Sequence, residues 1–144
     1  MAKKNVCVSF DFENDGYYRN LLSAWDANSN FEFNFNDVTP SEINSNDISR
    51  IKAGLTIRIN QCKYLLVIVG KYANQQHKDH KEIGEKNWIN WEIKKAKDLN
   101  KKLVAVKINS TFKSPEQLYN SGATWAMSFT QDKIIKALND ASNQ

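Results

Sequence analysis

The chain has 144 residues and a mass of 16.6 kDa, the length of a single domain spanning 1–144. Its 41% apolar, 11% aromatic and 25% charged residues, with only 5 Gly and 2 Pro, exclude a fibrous or disordered chain. The net charge of +4 is unevenly spread, with residues 1–50 at −4 and residues 51–144 at +8.

Of the 20 cations, 17 are lysine. Nucleic-acid readers depend on arginine for bidentate contacts, so the basic half reads as a solvated lysine surface and no nucleic-acid partner is expected. The longest apolar run, Tyr64 to Val69, is far below the roughly 20 residues needed to cross a bilayer. No apolar segment of secretory type follows Lys3 and Lys4, and a cytoplasmic protein without membrane attachment is expected. Cys7 and Cys62 sit in apolar-patterned segments and read as buried, reduced thiols.

In chain order, Asn5-Val6-Cys7-Val8-Ser9-Phe10 is a short apolar strand. Tyr18, Leu21, Leu22 and Trp25 recur at helical spacing over 15–28. Phe31-Glu32-Phe33-Asn34-Phe35 alternates strictly, as a half-buried strand near a sheet edge does, and its aromatics read as core. A loop with Pro40 covers 36–46, and Asp47 caps a helix whose stripe is Ile48, Ile51, Leu55 and Ile59. Tyr64-Leu65-Leu66-Val67-Ile68-Val69 has the unbroken apolar character of a strand covered on both faces.

Residues 70–86 are polar and without periodicity, long for a structural connection and therefore suspect as a functional loop. A helix over 87–99, a strand over 103–108, a helix start at Ser114-Pro115-Glu116, a strand over 125–129 and a final helix capped by Thr130 complete the chain. Alternating strands and helices predict a flavodoxin-like, doubly wound, parallel five-stranded sheet with helices on both faces. In such a sheet ligands bind outside the carboxyl ends of the strands, near the switch point. That edge collects residues 10–14, 36–47, 70–87 and 109–114.

The chain lacks G-x-G-x-x-G, G-x-x-x-x-G-K-[ST] and G-x-S-x-G, so a Rossmann dinucleotide site, a P-loop and a hydrolase elbow are unsupported. His77 and His80 lie among lysines without a third ligand, and no metal site is expected. A phospho-acceptor receiver needs an acid ending the third strand, where Ile68-Val69-Gly70 stands. The informative segment is Asn87-Trp88-Ile89-Asn90-Trp91-Glu92-Ile93. At 100° per residue, Ile89, Ile93 and Ala96 form an apolar stripe, with Trp88 and Glu92 together on its flank. This spacing predicts a carboxylate at the rim of the core; pairing with Lys94 or Lys95 is the structural alternative.

The W-x-x-x-E spacing of Trp88 and Glu92 follows Val8-Ser9-Phe10-Asp11 and Asn36-Asp37-Val38-Thr39-Pro40 and precedes Lys102-Leu103-Val104-Ala105-Val106. In this arrangement the chain resembles, over essentially its whole length, a Toll/interleukin-1-receptor (TIR) domain, and more narrowly the TIR-like proteins of the Thoeris antiphage defence system, the ThsB type. The loop after the second strand departs from the Arg-Asp…Pro-Gly pattern of many TIR domains, which bears on loop-mediated assembly.

The resemblance implies an NAD glycohydrolase that breaks the nicotinamide–ribose bond and releases an ADP-ribose-derived, cyclised signal. NAD is then the substrate, and no cofactor is bound. It places the catalytic carboxylate at Glu92, where a negative group stabilises an oxocarbenium-like sugar. Phe10 and Trp88 would flank the cationic nicotinamide. Ser9, Asp11 and Asn109 are further substrate-binding positions; Ser9 and Asp11 serve equally as helix caps, and Asn109 as a turn residue. Implied partners are an effector reached through the diffusible product, a phage trigger protein and a homo-oligomer. The rival readings are a non-enzymatic TIR interaction module and another flavodoxin-like N-glycosidase.

Overall fold

The structure, a computed structural model, describes residues 3–144, apart from the side chain of Glu42. Five parallel strands form one sheet: β1 (Lys4–Ser9), β2 (Phe33–Asp37), β3 (Tyr64–Val69), β4 (Lys102–Lys107) and β5 (Thr124–Ala126), in the order β2-β1-β3-β4-β5. Among the described residues five α-helices join or follow them: α1 (Gly16–Asp26), α2 (Ile48–Asn60), α3 (His80–Ile83), α4 (Trp88–Asp98) and α5 (Gln131–Ser142). The expected doubly wound α/β class is the one observed.

The pleat explains the two cores. Cys7, Leu65, Val67 and Ala105 point to one face, against Leu55 and Ile59 of α2 and Ile93 of α4. Val8, Leu66, Ile68 and Val104 point to the other, against Leu22 of α1 and Ile134 and Leu138 of α5. Every residue of β3 is buried, which accounts for its unbroken apolar sequence. The chain turns back across β1 to reach β3, so the crevice at the carboxyl ends of these two strands is the topological switch point.

Several segments differ from the sequence reading. β1 ends at Ser9, leaving Phe10 outside the sheet at the crevice. β2 is an edge strand as expected, but shifted two residues along the chain because its register with β1 runs from Phe33 to Asp37. The helix expected from Ser114 is only a 3-10 turn, Glu116–Leu118; Leu118 alone is buried within it, and the positive φ of Asn120 and Gly122 ends any continuation. β5 stops at Ala126, since β4 offers partners only for Thr124, Trp125 and Ala126. Within 70–86 the short helix α3 forms and is closed by Gly84 at φ 84°, a conformation glycine adopts without strain.

The reading of both cysteines as reduced thiols is corrected: Cys7 and Cys62 form a disulfide. The last turn of α2 packs over β1 and brings the two Cα atoms to 5.8 Å, within bridging distance. A separation of 55 residues hides that proximity in the sequence.

Candidate active site

A cleft of about 350 Å³ opens at the carboxyl edge of the sheet. One wall is residues 10–14, which follow β1; residues 39–41, after β2, add to it. The facing wall is Tyr72, Gln75, Gln76 and His77, and the floor is Asn87, Trp88 and Ile89 at the start of α4. α4 begins there because Asn87 is an N-cap whose side chain accepts from the backbone N–H of Asn90 at 2.9 Å. Phe10, Phe12, Tyr72 and Trp88 make the lining strongly aromatic. Among the described residues its charged members are the acids Asp11 and Glu13, and no lysine or arginine lines it.

Glu92 lies one turn beyond Trp88 on the same helix, and it is not at the rim. It is 1% exposed, correcting the expected placement. α4 packs on β3 and β4, between α2 and the Glu116–Leu118 turn, so the flank of its apolar stripe is covered as well as its centre. Ser9, at the end of β1 and itself fully buried, donates from Oγ to Glu92 Oε1 at 2.6 Å. Oε2 is buried and has no hydrogen-bond partner among the described residues. Burial pushes the Glu92 carboxyl well above the usual range, and the Ser9 hydrogen bond opposes that rise. Burial thus shifts the side chain toward its protonated form.

The sequence-derived positions separate into three groups. Phe10, Asp11 and Trp88 line the cleft together. Ser9 faces Glu92 beneath it and does not line it. Asn109 stands apart: it is exposed, and its Oδ1 accepts from the backbone N–H and the hydroxyl of Thr111 at 2.9 and 2.8 Å, the work of a turn residue. Asp11 shapes its own loop, its carboxylate accepting from the Glu13 N–H at 3.1 Å and from Asn14 Nδ2 at 2.7 Å. It does not cap α1, whose N-cap is Asp15.

Asp15 escapes a sequence reading. It is 6% exposed, its Oδ2 has no hydrogen-bond partner among the described residues, and its carboxyl lies so close over Gly70 that a Cβ there would come within 2.0 Å. Gly70 is thus needed for this close approach. Burial, reinforced by the charge of Asp11, pushes the Asp15 pKa up to about 6. The signal available in the sequence was only a plausible helix start. The wall from Tyr72 to His77 was foreshadowed by the aperiodic stretch after β3, though no single residue of it was.

The chain matches the family described as Thoeris protein ThsB, TIR-like domain, over residues 7–113. No curated protein matches it. The matched segment is about three-quarters of the chain and runs from β1 to beyond β4, so it contains Ser9, Trp88, Glu92 and every residue that lines the cleft. On this match, and on a parallel five-stranded sheet of the expected class, the chain belongs to the TIR-like domain family of the Thoeris antiphage-defence protein ThsB.

Proposed function

We propose that this domain cleaves the bond between nicotinamide and ribose in NAD and releases an ADP-ribose-derived signalling nucleotide. The observation that supports this best is Glu92: a buried carboxyl with one oxygen held by Ser9 and the other unpartnered, one helical turn from the aromatic floor of a cleft at the switch point.

In the proposed reaction the cationic nicotinamide ring lies against Trp88 and Phe10, whose faces favour a cation. Asp11 and Glu13 add a negative field suited to the same charge. The ring's positive charge favours ionisation of Glu92, whose carboxylate then engages the ribose hydroxyls. As the glycosidic bond lengthens, its electron pair passes to the ring nitrogen and neutral nicotinamide departs, so no general acid is required. The oxocarbenium-like ribose is stabilised by the negative charge of Glu92. A nucleophile captures it at the anomeric carbon: water, with loss of its proton to solvent, gives ADP-ribose, and a group of the same nucleotide gives a cyclic product. The diphosphate falls to backbone N–H groups near the amino end of α4, which borders the cleft. Since Glu92 is sealed from the cleft, catalysis requires the floor around Trp88 to open, which suits an enzyme activated by a trigger or by self-association.

The test compares nucleotides in infected cells carrying the wild-type chain or Glu92→Gln, by mass spectrometry. Glutamine is nearly isosteric with the protonated acid and keeps an acceptor for Ser9, so circular dichroism should be unchanged. A new ADP-ribose species, absent in the variant, is the expected result. Identical profiles together with intact defence would instead favour an interaction module. Cleavage of nucleosides other than NAD would favour a different N-glycosidase.

A further inference from the structure

The cleft wall formed by Tyr72, Gln75, Gln76 and His77 belongs to a connection with little regular structure ahead of α3. Three buried asparagines tie it down. Asn87 Nδ2 donates to the carbonyls of Ala73 and Gln75, both at 2.9 Å, on either side of Asn74. Asn90, fully buried, donates from Nδ2 to Asn74 Oδ1 at 3.1 Å and to Asn87 Oδ1 at 3.0 Å. Its own Oδ1 accepts from the Gln117 N–H at 2.9 Å, and Asn74 Oδ1 also accepts from the Glu116 N–H at 3.1 Å.

Asn90 thus uses both of its donors and its acceptor oxygen inside the protein, on the helix that carries Trp88 two residues before it and Glu92 two residues after. A buried helix position is filled by an apolar side chain at no cost in unsatisfied polar groups. A fully satisfied amide network instead selects one arrangement of the segments that it joins. Here those segments are the wall, the start of α4 and the turn Glu116–Leu118.

We propose that Asn90 is a positioning residue for ligand binding, holding the wall at 72–77 against Trp88 through Asn74 and Asn87. The proposal rests on the reading of the cleft as the NAD site. Without the network the wall's backbone is released from α4 and the cleft loses its shape, while the Ser9–Glu92 pair beneath it stays in place.

Two variants test this in the purified full chain. Asn90→Asp keeps the acceptor for Gln117 but removes both donated bonds and sets a carboxylate before two carbonyl oxygens. Asn74→Ser removes one arm of the network with less risk to the fold, and it decides the matter if Asn90→Asp does not fold. NAD binding is measured by isothermal titration calorimetry, and native-state trypsin cleavage is mapped by mass spectrometry. In a variant with native circular dichroism, NAD binding should weaken at least five-fold and cleavage at Lys71 or Lys78 should accelerate at least ten-fold. Cleavage at Lys133 and Lys136 in α5 should keep its wild-type rate, which a general loss of stability would not allow. Where turnover is measured, KM should rise with kcat within two-fold. Unchanged binding in a folded variant overturns the proposal. If the wild-type chain binds no NAD, the NAD reading fails, and cleavage alone judges the network: local acceleration supports it and wild-type rates at Lys71 and Lys78 overturn it.

Discussion

Ser9 Oγ donates a 2.6 Å hydrogen bond to Glu92 Oε1, joining the end of the first strand to the fourth helix across 83 residues of sequence. The bond aims the carboxyl and leaves Oε2 as its unused atom. It also changes the meaning of Ser9, which acts on Glu92 and not on the cleft.

Ser9→Ala removes that donor and leaves both oxygens of a buried carboxyl unpartnered. The expected loss of stability is about 1–3 kcal/mol, read as a lower melting temperature at pH 7. The Ser9 bond lowers the Glu92 pKa, so its loss leaves the carboxyl still harder to ionise. NAD consumption should fall at least ten-fold while NAD binding changes little. A variant that melts and turns over like the wild type would remove Ser9 from the site.

Asp15 gives a pH dependence with a defined sign. Its pKa rises from 3.8 to about 6 on folding, so the folded state favours the protonated acid. Stability from this group is therefore lost as pH rises from about 4 through 6, and the full penalty, about 3 kcal/mol, persists above that. Asp15→Asn should stabilise the protein at pH 7.5 by about 1–2 kcal/mol after the smaller cost of burying an amide. At pH 4 the wild-type penalty falls to about 0.5 kcal/mol while the amide cost remains, so the variant should be the less stable by about 0.5–1.5 kcal/mol. Urea unfolding at the two pH values is the measurement, and an equal offset at both would mean that Asp15 is hydrated in solution.

The aromatic floor predicts a graded series. Trp88→Ala should weaken NAD binding about ten-fold and Trp88→Phe about two- to three-fold, in line with a cation–π contribution of about 1–2 kcal/mol. Glu13 is exposed at the mouth, and its side chain makes no hydrogen bond or ion pair among the described residues. Glu13→Gln should weaken binding of the cationic nicotinamide riboside more than that of uncharged nicotinamide, and added salt should shrink the difference. Equal effects on both ligands would place the nicotinamide ring elsewhere.

The disulfide is testable by thiol titration. Denatured, unreduced protein should show no free thiol and reduced protein two, from Cys7 and Cys62. Closing a loop of this length contributes about 4 kcal/mol in the chain-entropy treatment, so reduction should lower stability by up to that amount. Free thiols in the unreduced protein would restore the reading that the sequence suggested.

Hydrophobic pattern is a local property, and the features that depend on it were legible without coordinates. The six apolar residues of Tyr64–Val69 announce a central strand, the stripe of Ile51, Leu55 and Ile59 announces α2, and their alternation announces a doubly wound sheet whose carboxyl edge holds the cleft. The spacing of Trp88 and Glu92 placed both on one flank of α4 by helical geometry alone. Burial, pairing and proton affinity are properties of neighbours that a one-dimensional pattern does not contain. Only the packing of α4 on β3 and β4, beside the end of β1, sealed Glu92 beneath the floor, gave one of its oxygens to Ser9 and raised its pKa. The same is true of Asp15 over Gly70, of Cys7 beside Cys62 and of the asparagines that brace the cleft wall. Each depends on segments distant in sequence meeting in three dimensions, and the dielectric and the hydrogen-bond partners that decide their chemistry exist only after that meeting.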